Sequence, residues 1–270
     1  MNTRKPAVAG RFYPSQPERL QAELGKLFEA CPPAQVQDAW GIMLPHAAYA
    51  YSGAVAAQTV AAVTIPEAVL LLGPNHTGLG VPYSLMGEGA WQIPGGTVEI
   101  DRELAAVLRE GCKYLQDDAS AHMYEHSIEV QLPLLYYRRS NFRMVPVVIN
   151  DFYVKHFRAV GEAVARVIAA CGKKVLIVAS SDMSHYVPQT VIQQTDAPAL
   201  AAVLERNPES LVQIVREKNV SMCGVAPVAV MLFAANALGA RQARLVDYRT
   251  SGDAGGDCAS VVGYAGIIVS

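Results

Sequence analysis

The sequence predicts an α/β protein with three layers (α/β/α), in which helices cover both faces of a central, mostly parallel or mixed sheet. Short β-rich runs alternate along the chain with Ala/Leu/Glu-rich stretches of helical character, as such a sheet requires. Of the 270 residues, 51% are apolar and 17% are charged, which indicates extensive burial. Because no low-complexity linker or internal repeat interrupts the chain, we expect a single domain over residues 1–270.

The individual elements follow from composition and turn residues. Apolar, β-rich runs predict six strands, which are Trp40–Leu44, Ala68–Leu72, Arg143–Val148, Lys174–Ala179, Ala243–Tyr248 and Ser260–Val269. Stretches of helical character predict eight helices, which are Pro17–Glu29, Gly53–Val63, Asp101–Glu110, Ile128–Tyr137, Val154–Cys171, Asp196–Arg206, Pro208–Glu217 and Val225–Leu238.

Charge and cysteine content exclude several classes of function. The formal net charge is −2 and no run of Lys or Arg occurs, so we expect no nucleic-acid or membrane partner and favour a small molecule. The five cysteines are scattered without a CxxC pair, which argues against a disulfide framework or a structural zinc site. No signal peptide and no apolar run of about 18 residues is present, so we expect a cytoplasmic protein.

Three of the predicted strands end in polar residues. His46 follows the first strand, His76 the second, and Asp182 and His185 the fourth. In open α/β sheets the carboxyl ends of the strands border a common crevice. The turn GPNH also aims its imidazole reproducibly, since Pro74 has a fixed φ.

Each histidine by itself could simply bond nearby backbone. Together, imidazoles delivered from neighbouring parallel strands can approach closely enough to share a divalent metal ion. His185 either provides a third ligand or, if it stays free, transfers protons near neutral pH, and spacing leaves both open. Asp182 lies three residues earlier and could orient this imidazole or cap the following turn.

Two further segments carry candidate residues. In YEHSIEVQLPLL, His126 and Glu129 are three residues apart and could line the crevice together, although Glu129 could equally face solvent. Cys223, just before a predicted helix, is either an activated thiol or a small buried residue.

The Gly-rich segment DYRTSGDAGGDCASVVGYAG contains neither a dinucleotide fingerprint nor a Walker A motif. It offers Asp253, Asp257 and Cys258 as candidate metal ligands, with Asp253 favoured.

Seven segments, in the same order, resemble the Memo family over nearly the whole chain. They are RKPAVAGRFYP, PHAAYAYSG, LLLGPNHTG, EHSIEVQLPLL, ASSDMSHY, CGVAPVAVML and TSGDAGGDCASVVGYAG. The resemblance implies a fold similar to class III extradiol dioxygenases, which hold a non-haem iron with two histidines and a carboxylate. It also implies a functional link to an AMMECR1-like protein and a radical SAM protein. One departure is Ala48, where the family pattern has glycine.

Carried over by motif, the resemblance implies His46 and His76 as metal ligands. Asp253 would complete a site with two histidines and one carboxylate, or Asp257 or Cys258 would take its place. The resemblance also implies that His185 is the acid/base histidine, and we add His126 and Asp182 to it as catalytic candidates because of their positions in the motifs described above.

The metal would be Fe(II), with copper or zinc as alternatives, and the function a dioxygenase-like oxidoreductase acting on an unknown small molecule. The alternative function is a non-enzymatic protein that uses the same pocket to bind a metal, a ligand or a partner. A hydrolase using metal-bound water is a third possibility.

Overall fold

A computed structural model describes residues 3–32 and 35–270. Over these residues the strands are β1 (Thr3–Arg4), β2 (Gly41–Leu44), β3 (Ala68–Pro74), β4 (Tyr83–Leu85), β5 (Ala90–Ile93), β6 (Gly96–Glu99), β7 (Gln116–Asp117), β8 (Arg143–Ile149), β9 (Val175–Ser180), β10 (His185–Val187), β11 (Ala243–Thr250) and β12 (Val261–Val269). The helices are α1 (Pro17–Glu29), α2 (Tyr49–Ala61), α3 (Arg102–Gly111), α4 (Gln131–Arg138), α5 (Val154–Ala170), α6 (Gln189–Leu204), α7 (Pro208–Glu217) and α8 (Val225–Ala237).

The central sheet is mixed and has a parallel middle. Its strand order is β10-β12-β2-β9-β3-β8-β4-β7, and β11 pairs with β12 from Gly263 to Val269. The four strands β2, β9, β3 and β8 are parallel to one another, whereas β12 and β4 run antiparallel to them. A smaller sheet contains β1, β5 and β6. The carboxyl ends of the four parallel strands therefore lie at one edge of the large sheet.

Helices cover both faces of this sheet. Side chains alternate between the faces, so that Leu70 packs into one hydrophobic cluster and Leu71 into the other. The first cluster contains residues of α3, α5, α6, α7 and α8, and the second contains residues of α1, α2 and α4. This arrangement confirms the predicted three-layer α/β/α architecture with a mixed sheet.

The predicted elements recur with shifted boundaries. Helix α2 begins at Tyr49 rather than Gly53, and α6 begins at Gln189 and continues through Pro198 in its interior. Strands of two to four residues, such as β4 to β7, give too short a pattern to be predicted. Among the described residues no helix combines the length and hydropathy needed to cross a bilayer.

Candidate metal centre

Three imidazoles meet at the carboxyl edge of the parallel strands. His46 lies two residues beyond β2 and His76 two residues beyond β3. Their ring centroids are 5.2 Å apart. His126, on the segment before α4, is 5.4 Å from His46 and 4.6 Å from His76 by the same measure. The structure thus brings together two predicted ligands and one residue predicted to be catalytic.

The turn after β3 is held by its own side chains. Asn75 Oδ1 accepts hydrogen bonds from the backbone N–H groups of Thr77 and Gly78, at 3.0 and 2.8 Å. Its amide Nδ2 donates to the carbonyl of Leu79 at 2.7 Å. This local network fixes the direction in which the chain leaves the strand, and with it the position of His76.

The tautomer of His46 follows from its hydrogen bonds. Ser180 has one hydroxyl proton, which it donates to the Ser127 carbonyl at 2.7 Å. Its oxygen also accepts from Gln131 Nε2 at 2.8 Å. His46 Nδ1, at 2.8 Å from the same oxygen, must therefore carry the proton and donate it. The lone pair of His46 Nε2 is left facing the Cys223 sulfur, 3.2 Å away.

His76 is oriented by the fully buried carboxylate of Glu125. Oε2 accepts from the backbone N–H of His76 at 2.5 Å, and Oε1 lies 2.9 Å from His76 Nδ1. Burial raises the pKa of Glu125, but its hydrogen bonds with His76 and with backbone amides outweigh that effect and lower the pKa to about 2. An ionised acceptor keeps the proton of His76 on Nδ1, so the lone pair of Nε2 is free to bind a metal ion.

Cys223 provides a sulfur atom beside these imidazoles. One ligand atom each from His46, His76 and Cys223 lie within 4.8 Å of one another. Burial, and secondarily the nearby Asp182 carboxylate, raises the pKa of the thiol. Without a cation it therefore donates its proton to His46 Nε2, and a bound cation would favour the thiolate.

A second group of possible ligand atoms contains His76, Glu125 and His126. Glu125 Oε1 also accepts from the N–H of Ser127 at 2.8 Å, so its oxygens are occupied by donors. We assign the carboxylate to orienting His76 rather than to the first set of ligands. Burial lowers the pKa of His46 and of His126, which keeps these rings neutral.

Asp182 and His185 both follow the carboxyl end of β9, but they form hydrogen bonds with different residues. Asp182 Oδ1 accepts from the His46 N–H at 2.8 Å, and Oδ2 lies 4.0 Å from His46 Nε2. Burial raises the pKa of Asp182 to about 6. His185 Nδ1 donates to the Ser221 carbonyl at 2.9 Å, which leaves its Nε2 as an acceptor. Among the described residues, neither group of close ligand atoms includes His185.

The C-terminal Gly-rich loop lies outside both groups. Asp253 Oδ2 accepts from the backbone N–H of Thr250 at 2.7 Å, and Oδ1 accepts from Gln189 Nε2 at 3.0 Å. Asp253 thereby caps a short 3₁₀ turn, Ser251–Ala254, in a capping box with Thr250. The alternatives Asp257 and Cys258 bond to backbone groups of their own loop. In the described structure, Cys223 rather than Asp253 has a possible ligand atom close to those of His46 and His76.

Sequence reasoning did not place the Cys223 sulfur beside His46 and His76, and it did not identify Glu125 as the acceptor that orients His76. The motif CGVAP does place Cys223 directly before α8, and Gly224 packs against Ser180 and Ser181 at the end of β9. Glu129 is neither solvent-exposed nor paired with His126. It is fully buried and forms an ion pair with Arg4 at 2.7 Å.

Comparisons with known proteins agree with the fold. The Memo-like protein family matches residues 4–268. MEMO1 family proteins of Methanopyrus kandleri and Methanosarcina barkeri are 42% and 41% identical to this chain and each cover 98% of it, over 98% and 99% of their own lengths. One from Aquifex aeolicus is 41% identical over 99% of both chains. The crystal structure of an uncharacterised Escherichia coli K12 protein shares the fold, with a TM-score of 0.56 and 14% identity over 84% of this chain and 98% of that one.

Proposed function

This chain belongs to the Memo family, and we propose that it is a metal-dependent oxidoreductase in which His46, His76 and Cys223 hold one iron ion. The observation that carries the proposal is the convergence of two histidine nitrogens and one sulfur within 4.8 Å. Each imidazole has its Nδ1 proton bonded to a buried acceptor, so both Nε2 lone pairs are available. Ligand histidines in metalloproteins are oriented in the same way.

The donor set fits a first-row transition metal. Neutral imidazoles suit iron, copper and zinc, whereas a thiolate adds a preference for softer ions such as Cu(I) and Zn(II). We place iron first because of the resemblance to class III extradiol dioxygenases, and copper second because of the sulfur. When bound, a redox-active ion would supply an electron couple and a coordination position for a substrate.

His185 supplies the acid/base group in this proposal. Its Nδ1–H is engaged by the carbonyl of Ser221, so proton transfer takes place at Nε2. The side chain is partly exposed, which gives a substrate access to it. The substrate is a small molecule that reaches the carboxyl edge of the sheet.

Anaerobic reconstitution with Fe(II), Cu(I) or Zn(II), followed by metal analysis and an O₂-consumption screen over small molecules, tests the proposal. We expect one ion per chain, no retained ion in His46→Ala, and a retained ion without turnover in His185→Ala. Loss of the ion from His185→Ala as complete as from His46→Ala would make His185 a ligand and remove its acid/base role.

A second candidate function is binding of a partner without turnover. Several aromatic side chains are exposed on segments near this edge, among them Tyr124, Phe152, Tyr153 and Tyr186. Tyr186 is 80% exposed, and its φ of 59° is unusual for a bulky residue. Stoichiometric metal binding without consumption of O₂ or of any screened compound would favour this function.

A further inference from the structure

A buried ion pair lies behind the candidate metal centre. Arg4 Nη1 is 2.7 Å from Glu129 Oε2, and both side chains are 0% exposed. The guanidinium group also stacks over the ring of Trp91, 4.0 Å from its centroid. Replacing such a pair by well-packed apolar residues of similar volume often leaves stability unchanged, so stability alone does not account for it.

The other donors of Arg4 bind the segment that carries Glu125. Arg4 Nε donates to the carbonyl of His122 at 2.6 Å, and Nη2 donates to the carbonyl of Glu125 at 2.7 Å. The planar guanidinium group thus fixes both ends of residues 122–125. The Glu125 carboxylate at the end of this segment accepts from His76 Nδ1 and from the N–H of His126. A displacement of the segment would move the acceptor that determines the tautomer of His76.

Glu129 binds the N-terminal turn, residues 7–13, in a similar way. Its two oxygens accept from the N–H groups of Ala7 and Val8, at 2.8 and 3.0 Å, and from the Tyr13 hydroxyl at 2.8 Å. This turn carries Phe12, whose ring meets His126 edge to face with centroids 4.9 Å apart. The Arg4–Glu129 ion pair therefore also holds Phe12, which packs against the ring of His126.

We propose that Arg4 and Glu129 are positioning residues of the metal centre. Arg4 acts through Glu125 on the orientation and tautomer of His76, and Glu129 acts through the N-terminal turn on His126. Neither residue touches the ligand atoms of the site. The inference rests on the proposed metal-binding function, but its effect on the imidazoles exists without a metal.

Two variants separate positioning from charge. Arg4→Lys keeps a cation beside Glu129 but cannot span both backbone carbonyls, since it lacks the planar fork. The double variant Arg4→Met/Glu129→Gln removes both charges, so no unpaired charge is left buried. The control, Lys173→Met/Asp101→Asn, breaks a partly exposed ion pair of 3.1 Å at the amino ends of the parallel strands, away from the candidate metal centre.

The first measurement is Co(II) affinity, with Co(II) alone as the probe and under conditions where each variant is folded. We expect about 10-fold weaker binding for Arg4→Lys and between about 10-fold and 100-fold for the double variant. The control pair should lose stability but keep the wild-type dissociation constant. Folded variants that bind Co(II) within about twofold of wild type would overturn the proposal.

The second measurement is ¹⁵N NMR of labelled histidines in the metal-free protein. Wild type should show His76 protonated at Nδ1 alone, and the Arg4 variants should show a mixture of tautomers. If wild type binds no Co(II), the proposed function fails, yet this spectrum still tests positioning. If the double variant does not fold, Arg4→Lys decides, because an unchanged His76 tautomer there refutes the inference.

Discussion

Replacement of Glu125 by glutamine removes a negative charge and one acceptor with almost no change of shape. In the wild-type protein Oε2 accepts from the His76 N–H. Oε1 faces His76 Nδ1 and the N–H groups of His126 and Ser127. Glutamine has one oxygen and one NH₂ group, so its NH₂ must face at least one of these donors. Either the backbone of His76 or its ring then loses its acceptor.

The size of the effect follows from the pKa of Glu125. The pKa falls from 4.5 to about 2, because hydrogen bonds with His76 and backbone amides outweigh the effect of burial. At about 1.36 kcal/mol per pKa unit, this corresponds to about 3 kcal/mol of folding free energy. A lowered folded pKa stabilises the protein above about pH 4.5, and the contribution is lost as the pH falls towards 2.

We therefore expect Glu125→Gln to lower the free energy of unfolding at pH 7 by about 3 kcal/mol and to flatten its dependence on pH below about 4.5. Metal affinity should fall between about 10-fold and 100-fold, as is usual when the group that orients a ligand histidine is changed. Denaturant unfolding at several pH values gives the first quantity, and Co(II) titration against a competing chelator gives the second.

Asp151→Asn is the matched control. Asp151 Oδ2 lies 2.7 Å from His156 Nδ1, and its Oδ1 accepts from two backbone amides, so the same chemistry occurs at a histidine outside the candidate ligand groups. This variant should lose stability and keep its metal affinity. The reasoning is refuted if Glu125→Gln binds Co(II) as tightly as wild type, or if both variants weaken binding equally.

Three further predictions concern other parts of the molecule. Cys223→Ser should lose the sulfur-to-metal absorption of the Co(II) protein and bind Co(II) at least about 10-fold more weakly, whereas Cys258→Ser should match wild type in the same titration. Asp253→Asn should keep the wild-type Co(II) affinity but lose about 1 kcal/mol of stability in denaturant unfolding, since its carboxylate caps a turn. Burial lowers the pKa of His122 from 6.5 to about 4, so the folded protein loses up to about 3 kcal/mol as the pH falls between these values. His122→Gln should lack that loss, and parallel pH profiles of the two proteins would contradict the assignment.

The positions of His46 and His76 could be predicted because they depend on regular structure. Each residue follows an apolar run that becomes a buried strand, and β2, β9 and β3 run parallel, so their ends must meet. The sequence pattern that predicts a buried parallel strand therefore also predicts that the residues just after it lie at the carboxyl ends of the sheet.

The position of Cys223 beside the two histidines could not be predicted in the same way. The loop around Asp253 is rich in glycine. The sequence does not show that one carboxylate oxygen of Asp253 accepts from Thr250 and the other from Gln189. Cys223 belongs to a different segment, just before α8. Close packing of Gly224 on Ser181 brings the start of this helix beside the end of β9. Contacts between segments that are distant in sequence leave no periodic pattern in the sequence, so pattern analysis cannot predict them.

The segment EHSIEVQ has a function that sequence reasoning left open, and the structure supplies a reason for most of its polar residues. Glu125 orients His76, Glu129 pairs with Arg4, and Gln131 donates to the hydroxyl that fixes His46. These side chains lie on one short stretch of chain, yet they act on imidazoles delivered by two different strands. The segment therefore positions both His46 and His76, and a change in its backbone position would alter both histidines at once.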